Sequence, residues 1–261
     1  MDIQATTGSH LIKSKDNDFF KRVKSYAQAK YRRRDNCLIA EGEKLYKEAL
    51  LTLKLKNTIA SQSYLAHHPE DFQNLTIFAD SLFDSVSELK TNQGILGIFE
   101  IPSFDLDMTA LSKVVVLEGI QDPKNLGAII RSAHCLGYQA VFVNDGCAQA
   151  FSPKAIRSSM GSVFHLPVIA ASTAEQLQEL KNNDFALVAT ALSGKEDLPQ
   201  FEKVALVIGS EGSGLSKETL ELCDYVFRIK MHGGAESLNA AVASGIAMYL
   251  FAGTGAGTAQ D

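Results

Sequence analysis

Three stretches in the second half of the chain set polar side chains beside backbone that carries little bulk. In the first, EGIQDPKNLGAIIRSAHCLG, Asp122, Pro123 and Asn125 lead into a helical pattern over Leu126 to Leu136, and Arg131 sits among its apolar positions. Asn125 reads as the helix cap. Leu126, Ile129, Ile130 and Leu136 make that helix mostly buried, so a cation in its first two turns needs a partner: a carboxylate of the protein or an oxygen of a substrate. The second stretch, GSEGSGLS (Gly209 to Ser216), has glycines suited to tight turns or to backbone that approaches a ligand. Its Glu211 is open to three uses: turn residue, counter-ion for Arg131, or active-site carboxylate. The third, IKMHGGAESLNAAVASGIAMYL (Ile229 to Leu250), crowds Glu236, Ser237 and Asn239 at a helix start, where free N–H groups invite polar partners. Beyond them Ala240, Ala241, Ala243, Ser244, Gly245 and Ala247 let a ligand, another backbone or a second subunit approach closely.

Several chemistries are excluded. The glycine loop lacks the following Lys-Ser or Lys-Thr of a phosphate-binding loop, and its spacing is not G-x-G-x-x-G. Cys37, Cys135, Cys147 and Cys223 are scattered, without a C-x-x-C pair, and His67 and His68 lack acidic or thiol partners at suitable spacing. The expectation is no metal and no disulfide framework, which fits a reducing cytoplasm. The opening MDIQATTGSH has no basic region followed by an apolar run, so no signal peptide is expected, and no apolar run is long enough to span a bilayer.

The elements that must position the three stretches read as α/β. Short apolar runs at Val114 to Leu117, Ala140 to Val143, Ala186 to Ala189, Ala205 to Ile208 and Val226 to Ile229 have the character of buried parallel strands. Helical patterns at Leu126 to Leu136, Pro153 to Met160, Ala174 to Lys181 and Lys217 to Leu222 separate most of them. In such sheets ligands bind at the carboxyl ends of strands, in the loops that follow. The earlier part of the chain predicts a smaller alternating unit, with strands near 37–40, 57–60, 75–79 and 95–100 and helices near 45–50, 63–67 and 81–89. The division expected is a first domain over 1–104, a linker over 105–112 and a second domain over 113–261.

With 25 Lys plus Arg against 30 Asp plus Glu, the formal charge is −5, so no global basic field advertises nucleic acid. Any RNA contact must use a local patch. FFKRVKSYAQAKYRRR, from Phe19 to Arg34, supplies one: Lys21, Arg22, Lys24, Lys30, Arg32, Arg33 and Arg34 alternate with Phe19, Phe20, Tyr26 and Tyr31. It reads equally as an amphipathic helix with solvated cations and as a phosphate-contacting surface, and the two are compatible.

Taken together the three stretches resemble the motifs of the SpoU, or TrmH-like, branch of the SPOUT class of RNA methyltransferases: N-L-G-A-I-I-R-S-A (Asn125 to Ala133), G-S-E-G-S-G-L-S (Gly209 to Ser216) and I-K-M-H-G-G-A-E-S-L-N (Ile229 to Asn239), in that order and covering 112–253. The resemblance implies a mostly parallel sheet with helices on both faces, a carboxyl-terminal trefoil knot, and a homodimer formed through that domain. It implies S-adenosylmethionine bound around Thr190, Gly209, Ile229, Met231 and Leu238, largely through backbone groups. Asn125, Arg131, Glu211, Ser237 and Asn239 would surround a ribose 2'-hydroxyl, with Arg131 stabilising the developing alkoxide and Glu211 or water taking the proton. Arg157 matches a position where relatives carry an Arg near the RNA. The amino-terminal part is similar to the ribosomal-protein L7Ae/L30e-like domain that precedes many family members and binds RNA, ribosomal (23S-type) rather than transfer RNA. The alternatives are a transfer-RNA 2'-O-methyltransferase of the same family and a catalytically weak RNA-binding protein with this fold. The chain departs from the family at Lys230, where a Pro usually precedes the Met.

Overall fold

The computed structural model describes residues 11–144, 146–234 and 237–253. The chain divides into two compact units: a smaller one that ends at Pro102 and takes in 151–153, and a larger one that begins at Ser103 and lacks those three residues.

The smaller unit runs β1 (Leu11–Ile12), α1 (Asp18–Ser25), α2 (Ala29–Arg34), β2 (Cys37–Glu41), α3 (Glu43–Leu50), β3 (Leu55–Ser61), α4 (Gln62–His67), β4 (Leu75–Phe78), α5 (Asp80–Val86) and β5 (Ile95–Glu100). Its sheet has the order β1-β4-β3-β5-β2, parallel from β1 to β3 and antiparallel through β5. The basic segment is two short helices rather than one. Asn17 caps α1 by accepting from Phe20 N at 3.1 Å, and Phe20, Val23 and Tyr26 turn into a core with Ile59, Phe78, Phe83 and Leu96. Each such fully buried side chain contributes about 1.5–3 kcal/mol of transfer free energy, so the aromatics of this segment serve the core.

The larger unit continues with β6 (Lys113–Glu118), α6 (Pro123–Cys135), β7 (Ala140–Val143), α7 (Pro153–Ser159), β8 (Val168–Ala170), α8 (Thr173–Asn182), β9 (Ala186–Lys195), β10 (Val204–Gly209), α9 (Lys217–Leu222), β11 (Tyr225–Phe227) and α10 (Ala240–Ala252). Its sheet is parallel throughout, in the order β11-β9-β10-β6-β7-β8. Val114 and Val116 pack with Leu177 and Leu180 of α8 on one face, while the alternate Val115 and Leu117 are buried on the other. There α10 packs on α6 and β10, and Tyr138 Oη donates to the Met248 carbonyl at 3.1 Å. The α/β class with a parallel sheet and helices is as the sequence predicts.

Three local differences matter. Helix α6 starts at Pro123, three residues before the predicted Leu126, and its cap is Asp122, which accepts from Lys124 N at 2.9 Å. Pro at the first helical position is pre-set for helix and lacks the N–H that would go unsatisfied, so it fixes the start one step after Asp122. Strand β9 runs six residues past Ala189, and β11 stops at Phe227, short of Ile229. The segment 103–112 carries a 3-10 turn, Met108–Ala110, and Leu106, Met108 and Leu111 pack on the core of the larger unit. No helix among the described residues is long and apolar enough to cross a membrane.

Candidate active site

The carboxyl ends of β6 and β10 lie side by side, with Glu118 in register with Gly209. From β6 the chain enters α6, and from β10 it enters the glycine loop. That loop folds back on its own strand: Ser210 bridges Gly214, Ser210 Oγ lies 2.9 Å from Ser213 Oγ, and a Cβ on Gly209 would collide with the Gly214 carbonyl. The glycine at 209 is therefore required by close backbone approach. A second glycine, Gly127 in α6, lets α7 lie against the helix, because a Cβ there would stand 2.5 Å from the Ala155 carbonyl oxygen. With Asp122 capping the helix, Asn125 falls inside the first turn of α6 and its amide is released for longer-range bonding.

That amide joins three chain segments. Asn239 caps α10, its Oδ1 accepting from Ala241 N at 3.0 Å and Val242 N at 3.3 Å. Its Nδ2 then donates to Asn125 Oδ1 at 3.2 Å, and Asn125 Nδ2 donates to Glu211 Oε1. The backbone N–H groups of α10 fix which end of Asn239 faces them, that orientation fixes Asn125, and the chain of donors ends on a carboxylate. Glu211 is thus held as an acceptor, with its other oxygen unclaimed by this chain of bonds. Of the three uses open to Glu211, pairing with Arg131 is not the one adopted: Arg131 is exposed on α6 and makes no hydrogen bond or ion pair among the described residues. Ser237 is exposed just before the cap. Glu236, expected at the same helix start, lies outside the described residues.

Of the residues expected around a cofactor, Gly209 ends a strand, Thr190 lies within β9, and Ile229, Met231 and Leu238 lie in the irregular segments between β11 and α10. Thr190 follows the last β9–β10 pair and its Oγ1 donates to the Val207 carbonyl at 3.4 Å; Gly209 ends β10; Ile229 lies two residues past the end of β11, which pairs with β9. Ile229, Met231 and Leu238 are half-buried. Apolar side chains and strand-end backbone, with glycine where bulk would collide, suit an adenosine held by its base face and by peptide groups.

The cations of the smaller unit divide into two kinds. Lys21, Lys30, Arg33 and Arg34 are exposed and Arg22 is half-buried. Arg32 is turned inward: it is 5% exposed and donates to the carbonyls of Tyr26 at 2.5 Å and Ala27 at 3.2 Å. Asp35 gathers Arg34 Nε at 2.8 Å, Arg22 Nε at 2.9 Å and Tyr26 Oη at 2.8 Å. Its carboxyl is held well below the usual carboxylate range, first by Arg34 and then by Tyr26 and Arg22. Sequence reasoning passed over Asp35, whose only signal was a lone acid directly after three arginines. Arg157 is half-buried on α7 of the larger unit.

Residues 112–249 match the family described as the SpoU rRNA methylase family. The chain is 34% identical over 244 residues to the 23S rRNA (guanosine(2553)-2'-O)-methyltransferase RlmP of Bacillus subtilis, a match covering 91% of this chain and 97% of that one. Among solved structures it resembles the AdoMet-bound rRNA methyltransferase from Sinorhizobium meliloti, with TM-score 0.81, 27% identity and coverage of 93% and 97% of the two chains. It also resembles the SpoU methyltransferase AviRb from Streptomyces viridochromogenes in complex with AdoMet, with TM-score 0.80, 26% identity and coverage of 90% and 96%.

Proposed function

Because the chain belongs to the SpoU rRNA methylase family, we propose that it transfers a methyl group from S-adenosylmethionine to a ribose 2'-hydroxyl of ribosomal, 23S-type RNA. The observation that carries this reading is the bonded set Asn239, Asn125 and Glu211 at the strand ends, together with an exposed Arg131 that has no protein partner among the described residues. Bound S-adenosylmethionine supplies an activated methyl on a sulfonium, so the protein's task is to align the hydroxyl and manage its proton. Arg131, always protonated, stabilises the oxygen as it becomes an alkoxide; Glu211, kept as an acceptor by Asn125, takes the proton; Ser237 and Asn239 orient the ribose. Thr190, Gly209, Ile229, Met231 and Leu238 hold the cofactor, and the donor set needs no metal.

The remaining features are part of the same proposal. The domains are 1–104 for RNA binding, with an L7Ae/L30e-like fold, a linker over 105–112, and 113–261 for methyl transfer. The return of β11 to the edge beyond β9 and the packing of α10 back on α6 support a trefoil knot at the carboxyl end. Val242 and Tyr249, 51% and 71% exposed and seven residues apart on α10, support a homodimer through an apolar helix face. Lys21, Arg22, Lys30, Arg33, Arg34 and Arg157 contact RNA phosphates; Arg32 is left out because its guanidinium is buried. Four free cysteines support a reducing cytoplasm.

Mapping of 2'-O-methyl sites in total RNA from cells with and without the gene tests the reading. One site missing from 23S-type RNA is the expected result; a site missing from transfer RNA redirects the substrate, and an unchanged map overturns the activity.

A further inference from the structure

Lys230 stands where the sequence breaks from the family pattern, and its surroundings give it work. The last six residues of β9 run on past its final pair with β10 at Ala189; β11 pairs with Val188 and Ala189 and then, after a register shift, Phe227 pairs with Lys195, and Arg228 N donates to the Lys195 carbonyl at 2.7 Å. The two strands are pressed together at Gly194, where a Cβ would lie 2.6 Å from the Val226 carbonyl oxygen. Tyr225 Oη donates to the Asp197 carbonyl at 3.1 Å. Beyond Phe227 regular pairing ends, and the next residues, Arg228 to Met231, carry no secondary structure. Past the Arg228 N–H, the attachment the structure records among the described residues is through side chains. Glu196 receives Arg228 on one carboxylate oxygen, Nη2 to Oε1 at 2.7 Å, and Lys230 on the other, Nζ to Oε2 at 3.3 Å.

From this we infer that Glu196 is a positioning residue: its carboxylate, bridging Arg228 and Lys230, clasps the 228–231 segment to the arm of β9 and so holds Ile229 and Met231 in place for the cofactor. The inference rests on the proposed function for its consequence, and on geometry alone for the clasp. Arg228 and Lys230 flank Ile229, so the carboxylate grips the segment on both sides of a residue that the cofactor would touch. The restraint is ionic, not covalent as a proline ring would be, and it is partly solvated: the three side chains are 36%, 45% and 61% exposed for Glu196, Arg228 and Lys230. Salt therefore loosens it, and cofactor retention becomes sensitive to ionic strength. The same two cations, Arg228 first and Lys230 second, pull the Glu196 carboxyl below its ordinary range, as a persistent bridge requires.

Two measurements on the full chain test this separately. Amide hydrogen exchange without cofactor, read by mass spectrometry over 228–231, is expected to quicken in Glu196→Gln relative to the unsubstituted chain, while exchange in α10 is unchanged. Equal exchange in the two proteins overturns the clasp, whatever the chain catalyses. Calorimetric titration of S-adenosylmethionine then reads the consequence at roughly 0.1 M and roughly 1 M KCl, between which the Debye length falls from about 10 to about 3 Å. The unsubstituted chain should lose about threefold in affinity with salt, whereas E196Q and K230M should start about threefold weaker and stay flat, and the double variant should be no weaker than either single one. Retained salt dependence in E196Q, or additive losses in the double variant, overturns the positioning role. Absence of binding by the unsubstituted chain, with the exchange difference intact, overturns the methyl-transfer reading and leaves the clasp standing.

Discussion

Two groups of cations in this protein meet opposite fates. On α1 and α2, Arg22 and Arg34 converge on Asp35, and Arg32 is spent on the carbonyls of Tyr26 and Ala27. On α6, Arg131 is exposed without a protein partner among the described residues, although Glu211 is available in the same unit and is taken by Asn125 instead. A dense basic run thus yields fewer free charges than it contains, while a single arginine in an apolar helix remains fully available. Pairing uses a charge for structure; a guanidinium left without a protein partner is the kind of group that stabilises an oxygen developing negative charge.

The widest test of that contrast removes the available cation. Arg131→Ala should lower methyl transfer by about 10²–10³-fold or more, the scale seen when one donor to a developing oxyanion is lost, with S-adenosylmethionine affinity by calorimetry within about twofold of the unsubstituted chain. Joint loss of transfer and cofactor binding would instead make Arg131 a structural residue. Next comes the acceptor. Asn125→Asp keeps an oxygen that accepts from Asn239 Nδ2 but replaces the donor to Glu211 with a second carboxylate oxygen, so about a 10²-fold loss of single-turnover rate is expected, with Asn125→Ala milder. If the two substitutions cost the same, the order of donors from Asn239 to Glu211 has no part in the reaction.

Asp35 probes the structural side. Its side chain is 9% exposed, and removing its charge leaves Arg22 and Tyr26 with a weaker partner. Asp35→Asn should destabilise the chain by about 1–3 kcal/mol, the range for a buried charge-assisted bond. The pH dependence follows from the depressed carboxyl. Since the folded value lies below the unfolded one of about 3.9, the contribution is complete above pH ~4 and is lost as pH falls toward the folded value. Denaturant melts of the unsubstituted chain should therefore weaken with acid below pH ~4 more steeply than those of D35N; parallel acid limbs would remove Asp35 from the account.

Much of this architecture was legible in the sequence because it depends on local patterns. Apolar runs at 114–117, 140–143 and 205–208 mark buried strands whatever surrounds them, and each lies within an observed strand. The short β1 and β8 escaped because two or three residues carry no period to read. At the site, residue types were legible and their partners were not. Asn125 read as a cap because Asn before an apolar run usually is one; Asp122 with Pro123 took that place, and only the folded chain brings Asn239, 114 positions away, to the released amide. The far half of β9 was unreadable for the same reason: Leu192, Ser193 and Lys195 are exposed, and the partner for this end, Phe227 paired with Lys195 and the β11 backbone packed against Gly194, comes from a distant part of the sequence.

The smallest expected effect separates two neighbouring arginines that no sequence pattern distinguishes. Arg33 is exposed and Arg32 is buried, one residue apart on α2. If the surface of α1 and α2 contacts phosphates, Arg33→Ala removes one counter-ion release. Affinity for a 23S-type RNA fragment should then fall about two- to fivefold, and the slope of log affinity against log salt should shrink by about 0.7–0.9. Arg32→Ala should leave that slope unchanged, because its charge never faces solvent, and should appear as a lower melting temperature, since two carbonyls lose their donor. Equal slopes for both variants and the unsubstituted chain would confine α1 and α2 to a structural role, and a reduced slope for Arg32→Ala would mean that its guanidinium turns outward when RNA binds. The experiment therefore measures, at a single helical turn, whether burial or mere composition decides which cations are available to a polyanion.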